Sequence, residues 1–321
     1  MTDPAAAFHY ESNFPSDRII GLALGSGAAR GLSHIGVLHA LEECNIRIDL
    51  LAGTSIGALI GALYASGVPI SHLQKVAREL NWRKLAGMLG PTIPTSGLLD
   101  SRKVSRFIKE LLPVSTFEEL NIPLAVTTTD IESGELIIIR QGLLLPAILA
   151  AISFPGLFTP VRVGDRFLMD GGLCSPVPTD VVRQMGAEVI IGVCAIPSVD
   201  KRYHETFAPN TRKTAPRKPF MMRFTPDWIE RTFSDIWTSQ NRFDSDDPIS
   251  DERNPPSIFR VFAQSVAILE NQINSLRLEQ EKVDFLIRPE LSHISLLEFH
   301  KAADAIEAGR VATIELLCSK H

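Results

Sequence analysis

The chain has 321 residues, 45% hydrophobic and 21% charged, with 21 Gly and 21 Pro, a globular composition that excludes disorder and fibrous repeats. A net charge of −5 gives no global attraction to phosphate backbones, and no basic stretch carries the aromatic interleaving of RNA binders, so nucleic acid is excluded as a partner. Cys44, Cys174, Cys194 and Cys318 lack any C-x-x-C spacing, which indicates neither a zinc site nor a disulfide scaffold and fits a reducing cytosol.

Residues 1–17 are polar, hold Asp3 and Glu11, and lack a basic start followed by an apolar core. They read as a disordered or extended tail rather than a targeting signal. From 18 to 197 the pattern is that of an α/β core. IIGLAL is a strand, GSGAARG a turn, and LSHIGVLHALEE a helix with Ile35, Leu38 and Leu41 on one face. A second unit comes next, in which a strand ends at Ala52, GTSIG turns, and ALIGALYASG is a buried helix closed by Gly67 and Pro69. LAVTTT and LIIIR are strands joined by a hairpin at Ser133-Gly134, and RFLMD and EVIIGVC are strands as well. Two uncharged stretches, Leu50 to Gln74 and Gln141 to Val161, reach spanning length, but their glycines and prolines predict buried α/β elements instead of membrane helices.

Residues 198–257 interrupt this alternation as an insertion rich in Pro and charge. Lys201, Arg202, Arg212, Lys213, Arg217, Lys218 and Arg223 fill its first half, and Ile229, Phe233, Ile236 and Trp237 follow helical spacing near its middle. Basic residues beside Phe220, Phe224 and Trp228 are the ingredients of a lid or a segment that docks on an anionic membrane surface; the plainer alternative is a solvated loop. The chain then resumes its core over 258–321. A helix places Phe262, Val266, Leu269, Ile273 and Leu276 on one face, VDFLI is a strand stopped by Pro289, and a last helix runs from about Leu297 to Cys318. Strands alternating with helices imply a three-layer α/β/α fold with a mostly parallel sheet.

Three motifs carry chemistry. Gly53-Thr54-Ser55-Ile56-Gly57 is a G-x-S-x-G sequence between strand and helix, where flanking glycines let the chain fold back and leave a strained serine hydroxyl exposed. Gly25-Ser26-Gly27-Ala28-Ala29-Arg30-Gly31 also comes after a strand. Arg30 stands where a dinucleotide site needs its third glycine, so the competing readings are an oxyanion hole of backbone N–H groups and a plain βα turn. Asp170-Gly171-Gly172 could cap a loop, or its carboxylate could take a proton from a neighbouring hydroxyl.

In this order and spacing, GSGAARG, GTSIG and DGG resemble the patatin-like phospholipase family, and RGLSHIGVLHAL, TTTDIESGE, ISFPGLFTPV and DGGLCSPVPTDVVRQMGAEVIIGV extend the likeness from about Ile19 to Pro197. The resemblance implies a patatin-like fold and a lipid acyl hydrolase with Ser55 as nucleophile and Asp170 as its base. It also implies an oxyanion hole on the backbone of Gly25, Ser26, Gly27 and Ala28, with Arg30, Gly53, Gly57, Gly171 and Gly172 in support. Acyl lipid is the implied substrate, and no cofactor or metal is called for; the cysteine pattern sets the enzyme in the cytoplasm, with the docking reading of 198–257 placing it at the inner membrane face. Calcium is not called for because no acidic cluster has EF-hand spacing. Two alternatives stay open: an α/β-hydrolase-like triad of Ser55, Asp170 and His293, and a weakly catalytic lipid-sensing module. His34 and His39 lie a little over one turn apart and read as packing or capping residues rather than a metal pair.

Overall fold

Apolar runs bounded by glycine turns make the strands, and a 3.6-residue apolar period makes the helices that cover them. A computed structural model describes residues 10–12, 17–80, 101–196 and 258–320. In chain order these form β1 (Tyr10–Ser12), β2 (Ile20–Leu24), α1 (Ser33–Glu43), β3 (Leu50–Thr54), α2 (Ile56–Ala65), α3 (Ile70–Glu79) and α4 (Ser101–Leu111). Then come β4 (Leu124–Asp130), β5 (Leu136–Ile139), α5 (Leu144–Ala151), β6 (Val161–Val163), β7 (Arg166–Asp170), α6 (Thr179–Gln184) and β8 (Val189–Val193). The chain ends with α7 (Ile258–Gln280), β9 (Phe285–Ile287), α8 (Ala302–Leu317) and β10 (Cys318–Lys320). The insertion read over 198–257 lies outside the described residues.

The main sheet runs β6-β7-β4-β3-β2-β8-β9, with β5 also paired to β4. The five strands from β4 to β9 are mutually parallel, whereas β5, β6 and β7 add antiparallel pairings at one end, so the sheet is mixed. Parallel strands are buried on both faces, and the alternation of side chains shows it. Leu22, Leu24, Leu51, Val126 and Ile191 point into the larger core with α1, α2 and α8; Ala23, Ala52, Ala125 and Ile190 point into a second core with Val181 and Val182 of α6. These two cores are the two interfaces of a three-layer α/β/α fold.

β4 is the strand on which the neighbouring elements align. Its odd-numbered neighbourhood faces β3 and β7: Leu51 N–H donates to Pro123 O, and Ile131 N–H to Phe167 O. Its even-numbered backbone faces the other way, with Asp130 N–H donating to Glu135 O just before β5. β3 and β7 therefore lie end to end along one side of β4, Thr54 opposite Thr127 and Asp170 opposite Thr128.

Two readings from sequence are corrected here. Cys44, at the end of α1, and Cys318, at the end of α8, form a disulfide with Cα atoms 6.1 Å apart. Their separation of 274 residues hides the pairing from any local spacing rule. Beside it β1 pairs antiparallel with β10, Tyr10 opposite Lys320. The second correction concerns α7. Of its predicted apolar face, Phe262, Leu269 and Leu276 are exposed, while Glu270 and Asn274 are buried. Polar partners elsewhere in the fold decide the buried face.

The chain divides into a main unit, Met1–Pro197 with Leu269–His321, and a second unit, Ser198–Ile268. Among the described residues no helix is long and apolar enough to cross a membrane. The stretch Leu50 to Gln74 is divided among β3, α2 and α3 instead.

Candidate active site

Ser55 sits between β3 and α2 at φ 57° and ψ −127°. That conformation is strained for any residue with a Cβ, and it turns the hydroxyl out of the sheet edge while the backbone enters a helix. Its carbonyl already accepts from Ala58 N–H at 2.9 Å. The turn is braced on the preceding residue: Thr54 Oγ1 donates to Ser175 O at 2.8 Å and lies 2.6 Å from Thr127 Oγ1. Gly53 and Gly57 permit the tight crossing. A Cβ on Gly53 would stand 2.5 Å from Ala58 Cα, and one on Gly57 2.6 Å from Gly25 O.

Asp170 arrives from the opposite direction at the end of β7. Ser55 Oγ donates to Asp170 Oδ2 at 2.6 Å, and Gly172 N–H donates to Asp170 Oδ1 at 2.8 Å. Asp170 N–H is held by Ser153 O, and Thr129 Oγ1 donates to Asp170 O, so the carboxylate has little freedom. Gly171 lies against β4; a Cβ there would meet Thr127 O at 2.5 Å. The side chain is buried, and desolvation raises its pKa to about 6 against the opposing effect of the Ser55 and Gly172 hydrogen bonds. At neutral pH it remains an anion, yet a more basic one than an exposed aspartate.

The loop after β2 packs on the start of α2, where a Cβ on Gly31 would meet Ile56, and its four backbone donors divide into two sets. Gly25 N–H donates to Val193 O and Ser26 N–H to Pro176 O, which fixes the loop to the sheet. Gly27 and Ala28 N–H find no acceptor among the described residues. Ala28 adopts φ 50°, and a 3₁₀ turn, Ala28–Leu32, begins there. Gly25 and Ser26 thus anchor the loop, while the N–H groups of Gly27 and Ala28 stay unengaged among the described residues. Arg30 Nε donates to Ile294 O, and Ala29 N–H to Leu296 O, tying the loop to the segment after β9. Burial lowers the Arg30 pKa, opposed by Glu298.

The model of the patatin-like phospholipase family matches residues 22–183, half of the chain. The chain belongs to that family. Ser55, Asp170 and the loop after β2 all fall within the matched residues of this patatin-like phospholipase. An uncharacterized NTE family protein of Mycobacterium tuberculosis is 28% identical to it over 347 residues, covering 99% of this chain and 95% of its own. The patatin-like phospholipase domain-containing protein 6 of Homo sapiens is 37% identical over 181 residues, 54% of this chain and 13% of its own. Lysophospholipase NTE1 of Debaryomyces hansenii is 28% identical over 308 residues, covering 94% of this chain and 18% of its own.

His293, the third member of the alternative triad, is exposed; its carbonyl accepts from Lys301 Nζ, and it makes no hydrogen bond to Ser55 or Asp170. His34 does more than pack. Its Nε2 lies 2.8 Å from Gly25 O, and burial lowers its pKa to about 4, so a neutral imidazole donates to that carbonyl and pins the loop after β2 from α1. His39 instead lies by Glu43 and Gln74 at the surface. A residue that sequence reasoning missed is Glu270 of α7, buried with its Oε1 only 2.6 Å from where a Gly172 Cβ would stand. In this patatin-like phospholipase that carboxyl lies beyond the residues matched by the family model.

Proposed function

We propose that this patatin-like phospholipase hydrolyses acyl esters of phospholipids or lysophospholipids through a Ser55–Asp170 dyad. The observation that carries the reading is the 2.6 Å hydrogen bond from Ser55 Oγ to Asp170 Oδ2, made by a serine held at positive φ at the start of a helix. In the cycle, Asp170 takes the Ser55 proton as the oxygen attacks the ester carbonyl. Negative charge grows on the carbonyl oxygen, where the unengaged N–H groups of Gly27 and Ala28 receive it, aided by the positive end of α2. Collapse breaks the ester bond, and Asp170 returns the proton to the departing alcohol. Water then donates a proton to Asp170 and attacks the acyl-enzyme; the bond from Ser55 Oγ to the acyl carbon breaks, Asp170 returns the proton to Ser55 Oγ, and the fatty acid leaves.

A dyad dispenses with imidazole because a carboxylate made more basic by burial can serve as the base itself. The substrate class is supported by the family and by a relative named as a lysophospholipase. The test is a panel of lipid and p-nitrophenyl esters with wild type, Ser55→Ala and Asp170→Asn in parallel. Each variant should lose at least about a hundredfold in turnover while staying folded, the scale of a lost nucleophile or base. Hydrolysis retained by folded Ser55→Ala overturns the reading.

A further inference from the structure

Among the described residues, Glu270 is a buried acid beside the dyad that the proposed cycle leaves unused. It is 7% exposed, projects from α7, and lies against Gly172, the glycine whose N–H holds Asp170 Oδ1. From the loop after β2, the buried Ser26 hydroxyl faces the same carboxyl without reaching full hydrogen-bond geometry. The carboxyl therefore stands between the two working parts of the site, the Asp170 turn and the oxyanion loop. The remaining charged and titratable neighbours are engaged elsewhere. Along α7, Asn274 donates to Cys194 Sγ and Arg277 pairs with Asp180 of α6; Arg288, after β9, reaches Cys194 Sγ. Glu270 forms no ion pair among the described residues, so the charge it faces is Asp170.

We propose that Glu270 is a positioning residue of the dyad site: as a neutral acid it bridges the Ser26 loop and the Asp170–Gly172 turn, and its ionisation switches the enzyme off. This rests on the dyad reading. Two carboxyls sharing a desolvated pocket cannot both ionise easily, and the pair then titrates in two separated steps. Burial is the main reason that Glu270 ionises last, with its pKa raised to about 8, and the Asp170 charge adds to it. The singly protonated pair is the working form. With both protons on, Asp170 cannot accept from Ser55. With both off, a second anion beside the oxyanion loop opposes the charge growing on the carbonyl oxygen. Over about 6 Å at an effective dielectric near 20, that repulsion is on the order of a hundredfold in rate. The same charge makes Asp170 more basic, but proton transfer returns only a fraction of that gain, so repulsion prevails.

The test is the pH dependence of labelling by a fluorophosphonate probe, which reports the free enzyme without a titrating substrate. Wild type should lose about tenfold per pH unit above its alkaline inflection. Glu270→Gln, which mimics the neutral acid, should stay within about threefold of its neutral-pH rate up to about pH 9.5. An unmoved alkaline limb in Glu270→Gln overturns the proposal, and so does loss of labelling at all pH values in the folded variant. Wild type by itself is a second check, because a profile with no alkaline fall refutes the switch whether or not any variant folds. Asp170→Asn keeps the two readings apart. If it labels as fast as wild type, the dyad falls; if it is dead while the Glu270→Gln profile is unchanged, only the role of Glu270 falls.

Discussion

Replacing Ser55 by glycine and, separately, by alanine isolates backbone strain from loss of the hydroxyl. Both variants remove the 2.6 Å bond to Asp170 and leave the same carboxylate oxygen without its partner, so that term cancels in the comparison. What differs is the conformation at φ 57° and ψ −127°, which alanine must still adopt and glycine adopts freely. Strain of this kind is worth about 1–3 kcal/mol. Glycine gives back about 0.4–1 kcal/mol because its unfolded chain is more flexible. The net expectation is that Ser55→Gly is more stable than Ser55→Ala by about 0.5–2 kcal/mol. With an unfolding entropy of about 2 cal/mol/K per residue, that is about 1–3 °C in Tm for a chain of this size. Paired urea titrations and thermal scans, run with both proteins equally inactive on ester substrates, measure it. Equal midpoints, or a more stable alanine variant, would refute the claim that the turn stores strain for the sake of its serine.

Asp170→Asn should be more stable than wild type at pH 7.5, even as it loses activity. The folded Asp170 pKa, about 6, lies above the ordinary carboxylate value, so the folded state holds the proton more tightly and ionisation weakens the fold as pH rises from about 4 through 6. Asparagine escapes this, by on the order of 2–3 kcal/mol at most, and the advantage should vanish near pH 4 in urea titrations. By the same protonation, wild-type kcat/KM should rise with pH through about 6. Gly27→Val should cost about 3 kcal/mol of transition-state stabilisation, read as kcat/KM, because one oxyanion donor is displaced; unaltered turnover in a folded variant would remove Gly27 from the site. His293→Ala should leave turnover within about tenfold of wild type, and a loss as large as that of Ser55→Ala would restore the triad. Reduction with dithiothreitol, or Cys318→Ser, should lower stability by about 2–5 kcal/mol, since the Cys44–Cys318 bond closes a long loop.

Ser55 and Asp170 were legible because each announces itself locally, in G-x-S-x-G after a strand and in D-G-G after another. The alternation that predicts the α/β fold is equally local, and the mixed sheet departs from it only where β5 and β7 run back along β4. Glu270 was illegible for the opposite reason. Phe262, Leu269 and Leu276 make the more apolar stripe of α7, yet the buried positions include Glu270 and Asn274, whose partners Gly172, Ser26 and Cys194 lie about 80 residues or more away in the chain. Hydrophobic periodicity says nothing about a polar face that is buried for its contacts. His34 was placed as packing for the same reason: its acceptor, Gly25 O, is a backbone atom and leaves no trace in composition. The division of labour in the loop, Gly25 and Ser26 anchoring while Gly27 and Ala28 stay free, is likewise a matter of where carbonyls of other segments fall.

The head-on meeting of β3 and β7 along one side of β4 makes a single strand the ruler of the catalytic distance. Thr127 and Thr128 are adjacent, so Thr54, the residue before Ser55, and Asp170 are set one step of pleated backbone apart, and Ser55 meets a carboxylate 115 positions along the chain. Loops anywhere in that interval can lengthen or shrink without changing the spacing. A one-residue slip of β7 on β4 cannot be absorbed, because it would carry the Asp170 side chain about 3.4 Å along and turn it to the opposite face. Without β7 docked on β4 the Ser55–Asp170 hydrogen bond cannot form, so the dyad proposed above is complete only in the assembled sheet.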